Sequence, residues 1–197
     1  MNMQKDQKQT AETTEILKRG GVGVLPTDTI YGIVGSALNK KTVERIYRLR
    51  RRNRKKPMII LIGSLRDLSQ FGILPTPKTR AILKKLWPGK ISVILPIANK
   101  TSQKRFAYLH RGTNTLAFRL PRNKRLRALL EKIGPLVAPS ANPDGLPPAK
   151  TVSQAKKYFG RRVDAYFGSG KRISPPSTLI SIQDGICTVL RKGAVRI

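Results

Sequence analysis

Two hydroxyls, a carboxylate and a phenol fall within five residues of the run Pro26-Thr27-Asp28-Thr29-Ile30-Tyr31-Gly32. Such a set can hydrogen-bond a small polar molecule, and a loop after a buried strand is where α/β proteins usually place their sites. A turn held by Asp28 and Gly32 accounts for the same residues. A second run, Arg50-Arg51-Arg52-Asn53-Arg54-Lys55-Lys56-Pro57, puts seven consecutive cationic or amide side chains between a helix end and a strand. Arginine grips phosphate bidentately. A solvated basic helix end that complements the helix dipole is the alternative. The third run is Ala138-Pro139-Ser140-Ala141-Asn142-Pro143-Asp144-Gly145. Its hydroxyl and amide, Ser140 and Asn142, could orient a nucleotide phosphate or a substrate carboxylate, or form an Asx or proline turn. The fourth is Pro176-Ser177-Thr178-Leu179-Ile180, followed by Leu190-Arg191-Lys192-Gly193. A serine before an apolar strand and an arginine ending one are also ordinary structural features.

Several familiar chemistries are absent. His110 is the single histidine, and no nucleophile motif accompanies it, so neither a Ser-His-Asp nor a Cys-His site is expected. It reads as a surface or loop histidine. No Gly-x-x-x-x-Gly-Lys-Ser/Thr loop and no Gly-x-Gly-x-x-Gly fingerprint occurs, so ATP would bind without a Walker loop. Cys187 stands alone, which excludes an internal disulfide and a cysteine-rich zinc site.

The elements that must position these residues follow from apolar periodicity and turn signals. Residues 11–19 predict a helix closed by Gly20-Gly21. Residues 22–25 predict a buried strand and 26–35 a loop. Asn39 caps a helix to about residue 52, with Val43, Ile46, Tyr47 and Arg50 on one face. Residues 58–62 read as a buried strand, 65–71 and 77–86 as helices, and Trp87-Pro88-Gly89 ends the second. Strands are expected at 91–97 and 115–120, a helix at 126–133, and a short strand at 135–139. Thr151-Val152-Ser153-Gln154 opens a helix to about residue 159. Residues 163–167, 177–182 and 188–190 close the chain as strands. The tracts 50–56 and 99–105 are strongly basic. Interleaved helices and strands predict an α/β (α+β) chain, a mixed sheet flanked by helices.

The 197 residues, 39% of them hydrophobic, suffice for one real core. One domain over 11–197 is expected, with a polar tail at 1–10. No run nears the roughly 20 apolar residues of a membrane span, and the polar start is no secretory signal, so a cytoplasmic protein is expected. Charge is the outlier: 40 Lys plus Arg against 10 acidic residues give a formal +30. RNA is the natural polyanion for such a surface, although a generally basic proteome or a need for solubility would also produce it.

Taken in order, the segments resemble the YrdC-like family. Its pattern runs Pro-Thr-Asp/Glu-Thr-x-Tyr-Gly, Lys-x-Arg with a later Pro, Trp-Pro-Gly, Arg-x-Pro, Ser-x-Asn, Pro-Ser-Thr and Leu-Arg-x-Gly. These fall here at residues 26–32, 50–57, 87–89, 119–121, 140–142, 176–178 and 190–193. Each motif is weak, but seven in register are specific, and they span about residues 11–197. The length resembles the short members of the family.

The resemblance implies a twisted mixed sheet with a basic concave cavity. It implies an L-threonylcarbamoyladenylate synthase, a nucleotidyltransferase joining L-threonine, bicarbonate or CO2, and ATP into threonylcarbamoyl-AMP and pyrophosphate. A threonylcarbamoyl-transferase complex would then modify an adenosine beside the tRNA anticodon. It assigns Thr29, with Tyr31 beside it, Arg119, Ser140 and Ser177 to threonine. Arg50, Arg52 and Lys56 would hold ATP phosphates, with Thr115, Ala138, Asn142, Pro148 and Arg191 around the nucleotide. Arg50, Arg52, Ser140 and Asn142 form the catalytic constellation it implies. Mg²⁺ would be held chiefly by phosphates and water. In one departure, Arg50 stands where the family usually has lysine, a planar fork replacing a point charge. Two other readings stand beside the synthase: a non-catalytic RNA-binding member, and a relative of the carbamoyl-transfer domains of hydrogenase-maturation proteins. The acylphosphatase and zinc-finger segments that accompany those domains are not found.

Overall fold

The computed structural model describes residues 3–168, 170–183 and 185–196, with side chains from residue 9 onward. The strands are β1 (Gly23–Pro26), β2 (Tyr31–Ser36), β3 (Ile59–Leu61), β4 (Ile91–Pro96), β5 (Thr115–Arg119), β6 (Leu136–Val137), β7 (Ala165–Tyr166), β8 (Thr178–Gln183) and β9 (Ile186–Arg191). The α-helices are α1 (Met3–Lys18), α2 (Lys40–Arg50), α3 (Pro77–Leu86), α4 (Lys100–Arg105), α5 (Ala107–His110), α6 (Lys124–Ile133) and α7 (Val152–Phe159). Leu65–Phe71 and Gly160–Arg162 are 3₁₀ turns.

One nine-stranded sheet runs β7-β1-β2-β6-β3-β5-β4-β8-β9. It is mixed: β7 on β1, β3 on β5 and β4 on β8 are parallel, and the remaining neighbours are antiparallel. Alternate residues of the inner strands enter different core clusters. Val24, Ile33 and Ile60 join the cluster that takes in α2, α3 and α7. Leu25, Val34 and Leu61 join the one with Leu17 of α1 and Leu126 and Leu130 of α6. Both faces of the sheet are therefore covered by helices, as the short apolar runs of the sequence require.

Helix α2 shows how sequence sets position. Asn39 Oδ1 accepts the Thr42 N–H at 3.2 Å, and Val43, Ile46, Tyr47 and Arg50 are all buried. Each of the apolar three stabilises by roughly 1.5–3 kcal/mol on burial, which fixes the rotation of the helix and so drives Arg50 inward. The helix closes on Arg51 in the left-handed region at φ 51°, with Arg51 N–H and Arg52 N–H donating to Arg48 O and Tyr47 O. That turn reverses the chain at the start of the basic run.

Three sequence expectations change, and one tract that reads only as basic gains a helix. Residues 31–35 of the expected loop belong to strand β2, because Pro26 pairs with Tyr31 and Gly23 with Val34 in a hairpin. The true loop is residues 27–30. Helix α1 starts at Met3 rather than at 11, so the expected tail is helical where it is described, and Met1 and Asn2 lie outside the described residues. The basic tract 99–105 is helix α4, capped by Asn99 Oδ1 accepting the Ser102 N–H at 2.8 Å. His110 is buried at 4% exposure, not a surface residue. It closes the α5–β5 turn, with Nε2 on Gln103 O at 2.8 Å and Nδ1 accepting the Gly112 and Asn114 N–H groups. Those two donors identify Nδ1 as the unprotonated nitrogen.

Candidate active site

A cavity of about 320 Å³ collects the chemically interesting segments. Its walls come from the β1–β2 loop, the end of α2, β5, the chain leaving β6, the entry to β8 and the end of β9. Four arginines line it, Arg50, Arg52, Arg119 and Arg191, together with Thr29, Ser140 and Ser177. The volume falls in the range of small-ligand sites.

The β1–β2 loop is locked by Thr27. Its Oγ1 donates to Ile30 O at 2.7 Å and accepts the N–H groups of Thr29 and Ile30. Thr29 is thereby held at the cavity, 3% exposed, with its Oγ1 at 3.1 Å from Thr27 Oγ1. With the Thr27 proton on Ile30 O, the Thr29 hydroxyl donates to Thr27 and accepts from Arg119 Nη1 at 3.1 Å. Arg119, at the end of β5, is 4% exposed. Its Nη2 lies 3.1 Å from Asp28 Oδ1, an ion pair whose side chains are 5% and 9% exposed. Asp28 in turn accepts the Arg122 N–H at 3.1 Å. Arg119 Nε is buried without a hydrogen-bond partner. Burial lowers the Arg119 pKa, Asp28 opposes that shift, and Arg191 adds to it.

Arg50 is the second buried cation, at 2% exposure. Its Nε donates to Asn142 O at 2.9 Å, and its Nη2 donates to Ser140 Oγ at 3.2 Å and Asn142 Oδ1 at 3.4 Å. Its Nη1 is buried and unpartnered. Burial first, then the charge of Arg52, pushes its pKa down to about 10, which still leaves the guanidinium charged at neutral pH. Ser140 is placed by a bridge to Gly32 across the loop. Because its oxygen accepts from Arg50, its proton is left for the cavity. Arg52 is fixed from the other side, its Nε and Nη2 donating to Lys56 O and Pro57 O at 3.2 and 3.0 Å.

Ser177 and Arg191 meet at the β8–β9 end. Arg191 Nη2 donates to Ser177 O at 2.8 Å. The glycine two residues on has a steric reason: a Cβ at Gly193 would collide with Pro176 O, where the next residue's N–H bonds at 2.9 Å. Burial and then Arg52 lower the Arg191 pKa. Mutual repulsion therefore runs from Arg50 to Arg52 to Arg191 to Arg119, with Asp28 the compensating carboxylate at Arg119. A bound anion would relieve it.

Of the residues singled out from sequence, Thr29, Arg50, Arg52, Thr115, Arg119, Ala138, Ser140, Ser177 and Arg191 line the cavity. Four stand outside it. Tyr31 is fully buried and its hydroxyl donates to Gly170 O at 2.9 Å. Asn142 faces Arg50, and its Nδ2 donates to Pro143 O and Leu146 O. Lys56 and Pro148 are exposed. The sequence reading missed Thr27 as the lock, Asp28 as the counter-charge of Arg119, and Ser92, whose Oγ lies 2.8 Å behind that of Ser177. Among the described residues no three His, Cys, Asp or Glu side chains gather as a metal site, and Asp28 is already engaged. The side chains of the cavity do not form a cage for Mg²⁺.

Residues 15–193 match the Sua5/YciO/YrdC family, described as "Telomere recombination". A threonylcarbamoyl-AMP synthase of Thiobacillus denitrificans is 34% identical over 86% of this chain and 88% of its own. One from Bacillus subtilis is 33% identical over 95% of this chain and 54% of its own. The crystal structure of Pyrococcus abyssi Sua5 complexed with L-threonine superposes with a TM-score of 0.82 at 26% identity, over 93% of this chain and 54% of that one. The chain thus spans about half the length of the Bacillus and Pyrococcus proteins. With the family match covering residues 15–193 and a relative 34% identical over 86% of the chain, the chain belongs to the Sua5/YciO/YrdC family.

Proposed function

We propose that the chain is a threonylcarbamoyl-AMP synthase. The observation that carries this reading is a cavity in which Arg119, buried and with a free Nε, stands on Thr29 within the electrostatic reach of Arg191, with Arg52 and Arg50 lining the same cavity. Such a site takes a small molecule bearing a carboxylate and a hydroxyl beside a polyphosphate. The names of the relatives, and the L-threonine bound to Pyrococcus Sua5, support threonine and ATP as those molecules.

Arg119 takes the threonine carboxylate, Ser177 and Ser140 donate to it or to the carbamate, and the spare lone pair of Thr29 accepts from the amine or hydroxyl. The neutral amine adds to CO2 with loss of a proton, or to bicarbonate with loss of water. One carbamate oxygen then attacks the α-phosphorus of ATP, the bond to the bridging oxygen breaks, and pyrophosphate leaves with its electron pair. No covalent protein intermediate is needed. Positioning and charge neutralisation suffice. Arg50, Arg52 and Arg191 hold the phosphates, with Thr115 and Ala138 beside the nucleoside. Asn142 acts by steadying Arg50. Lys56 and Pro148 contribute only if the nucleotide extends past the cavity. Tyr31 keeps a supporting role through Gly170. Mg²⁺ enters as part of the ATP substrate, carried by phosphate oxygens.

Downstream, a transferase complex passes the threonylcarbamoyl group to a tRNA adenosine, and the +30 surface can hold RNA meanwhile. Among the described residues no helix is long and apolar enough to cross a membrane, and a cytoplasmic location is part of this proposal because the reaction draws on ATP and serves tRNA. Purified protein with L-threonine, bicarbonate and Mg-ATP should release pyrophosphate only when threonine is present. Release equal to the threonine-free control overturns the reading. A non-catalytic RNA binder would show no saturable ATP binding in a calorimetric titration, whereas the synthase should bind ATP and lose that binding in Arg52→Ala.

A further inference from the structure

Ser92 is the one hydroxyl in the otherwise aliphatic run Ile91-Ser92-Val93-Ile94-Leu95 of β4, and it is fully buried. It does not line the cavity. It shares a face of the strand with Ile94, which does. The β4–β8 pairing sets Ile91 beside Thr178, and brings Ser92 Oγ to 2.8 Å from Ser177 Oγ. Ser177 is its one hydrogen-bond partner among the described residues.

Proton accounting then decides the direction of that bond. A serine hydroxyl has one donor and two acceptor sites. If Ser177 donated to Ser92, the Ser92 proton would be buried with nothing to receive it, a costly state. If Ser92 donates to Ser177, the Ser92 proton is satisfied, and the proton left over is that of Ser177, which lines the cavity. Arg191 Nη2, 3.5 Å from Ser177 Oγ, can only donate. Both neighbours then present hydrogens to the Ser177 oxygen, and the Ser177 proton is free to turn to the cavity.

We propose that Ser92 is a positioning residue for amino-acid substrate binding: its hydroxyl donates to Ser177 and makes Ser177 a donor toward an anionic oxygen of that substrate. This rests on the threonine reading of the site. Without Ser92 the Ser177 hydroxyl is free to rotate, and the preset donor is lost while the cavity wall stays in place.

Steady-state pyrophosphate release, with threonine and ATP varied separately, tests this. Ser92→Ala should raise KM for threonine about 5- to 10-fold, the scale of one hydrogen bond, and leave KM for ATP within about twofold. Ser92→Thr, which restores the hydroxyl, should return KM for threonine most of the way to wild type. If Ser92→Ala does not fold, Ser92→Cys, whose thiol fills the space but donates weakly, is read in the same way. An unchanged threonine KM overturns the proposal. So does a parallel rise in both KM values, since that marks a merely structural role. A wild-type protein that releases no threonine-dependent pyrophosphate removes both this inference and the reading beneath it. An active wild type with an indifferent Ser92→Ala removes the inference alone.

Discussion

Arg119 couples stability to binding, because its Nη1 and Nη2 rest on Thr29 and Asp28 while its Nε is left over. Replacing it with methionine strands the Asp28 carboxylate in a buried site, which costs about 3 kcal/mol. Urea unfolding should show that loss, and threonine-dependent turnover should disappear. Arg119→Lys keeps the charge but not the fork, so it should recover more stability than activity. Thr29→Ala removes the acceptor of Arg119 and, on the proposed reading, a ligand contact together. It should raise KM for threonine far more than KM for ATP, and an equal rise in both would mean that the loop serves another ligand. Much of this site is legible in the sequence, since Thr29, Arg119, Ser140, Ser177 and Arg191 each sit in a short motif whose order along the chain is informative. Side-chain direction is not legible there. Tyr31 opens β2, and the hairpin turns its ring away from the cavity. Asn142 is consumed by Arg50. Ser92 sits in an aliphatic strand, where sequence alone reads it as core.

At the level of elements, two polar clamps hold the frame. The Asp164 carboxylate accepts the Val22 N–H at 2.8 Å and pairs with Arg45, whose Nη2 lies 2.8 Å from Oδ1, tying α2 to the β1–β7 edge. The hydrogen bond from Arg45, followed by that from Val22, holds the Asp164 carboxyl below its ordinary 3.8 against the opposing effect of burial. A carboxyl whose pKa is depressed in the folded state stabilises at pH values above the unfolded value, and that contribution is lost as pH falls through the folded one. Asp164→Asn should therefore lower the melting temperature by a few degrees at pH 7, with a smaller gap between variant and wild type at pH 3. The other clamp is His110. His110→Ala abandons two backbone N–H groups and one carbonyl, a loss of about 3 kcal/mol in denaturant unfolding, with KM values unchanged because the residue lies outside the cavity. The elements themselves were unevenly readable. The inward face of α2 follows directly from Val43, Ile46, Tyr47 and Arg50. β2 escapes because Gly32 and Gly35 mimic loop composition, and only pairing with β1 reveals a strand. α4 escapes because its basic residues hide a helix whose stability comes from the Asn99 cap.

On the scale of the whole molecule, +30 of net charge in 197 residues makes self-repulsion a general cost of compaction. Salt screens that repulsion over a Debye length of about 10 Å at 0.1 M. Raising NaCl from low to moderate concentration should therefore raise the melting temperature, without regard to any one residue. The cavity adds a local version of the same effect. The charge of Arg52 lowers the pKa of both Arg50 and Arg191, and the Nη1 of Arg50 faces no partner. A polyphosphate should answer these charges at concentrations where screening is unchanged. At matched ionic strength, pyrophosphate should raise the melting temperature beyond chloride, by about 2.7 kcal/mol of stability at a hundredfold excess over its dissociation constant. Arg52→Ala should abolish the increment and leave the chloride response in place. An increment that survives in Arg52→Ala would locate the anion elsewhere on the basic surface, and would separate the charge of the cavity from the charge of the molecule around it.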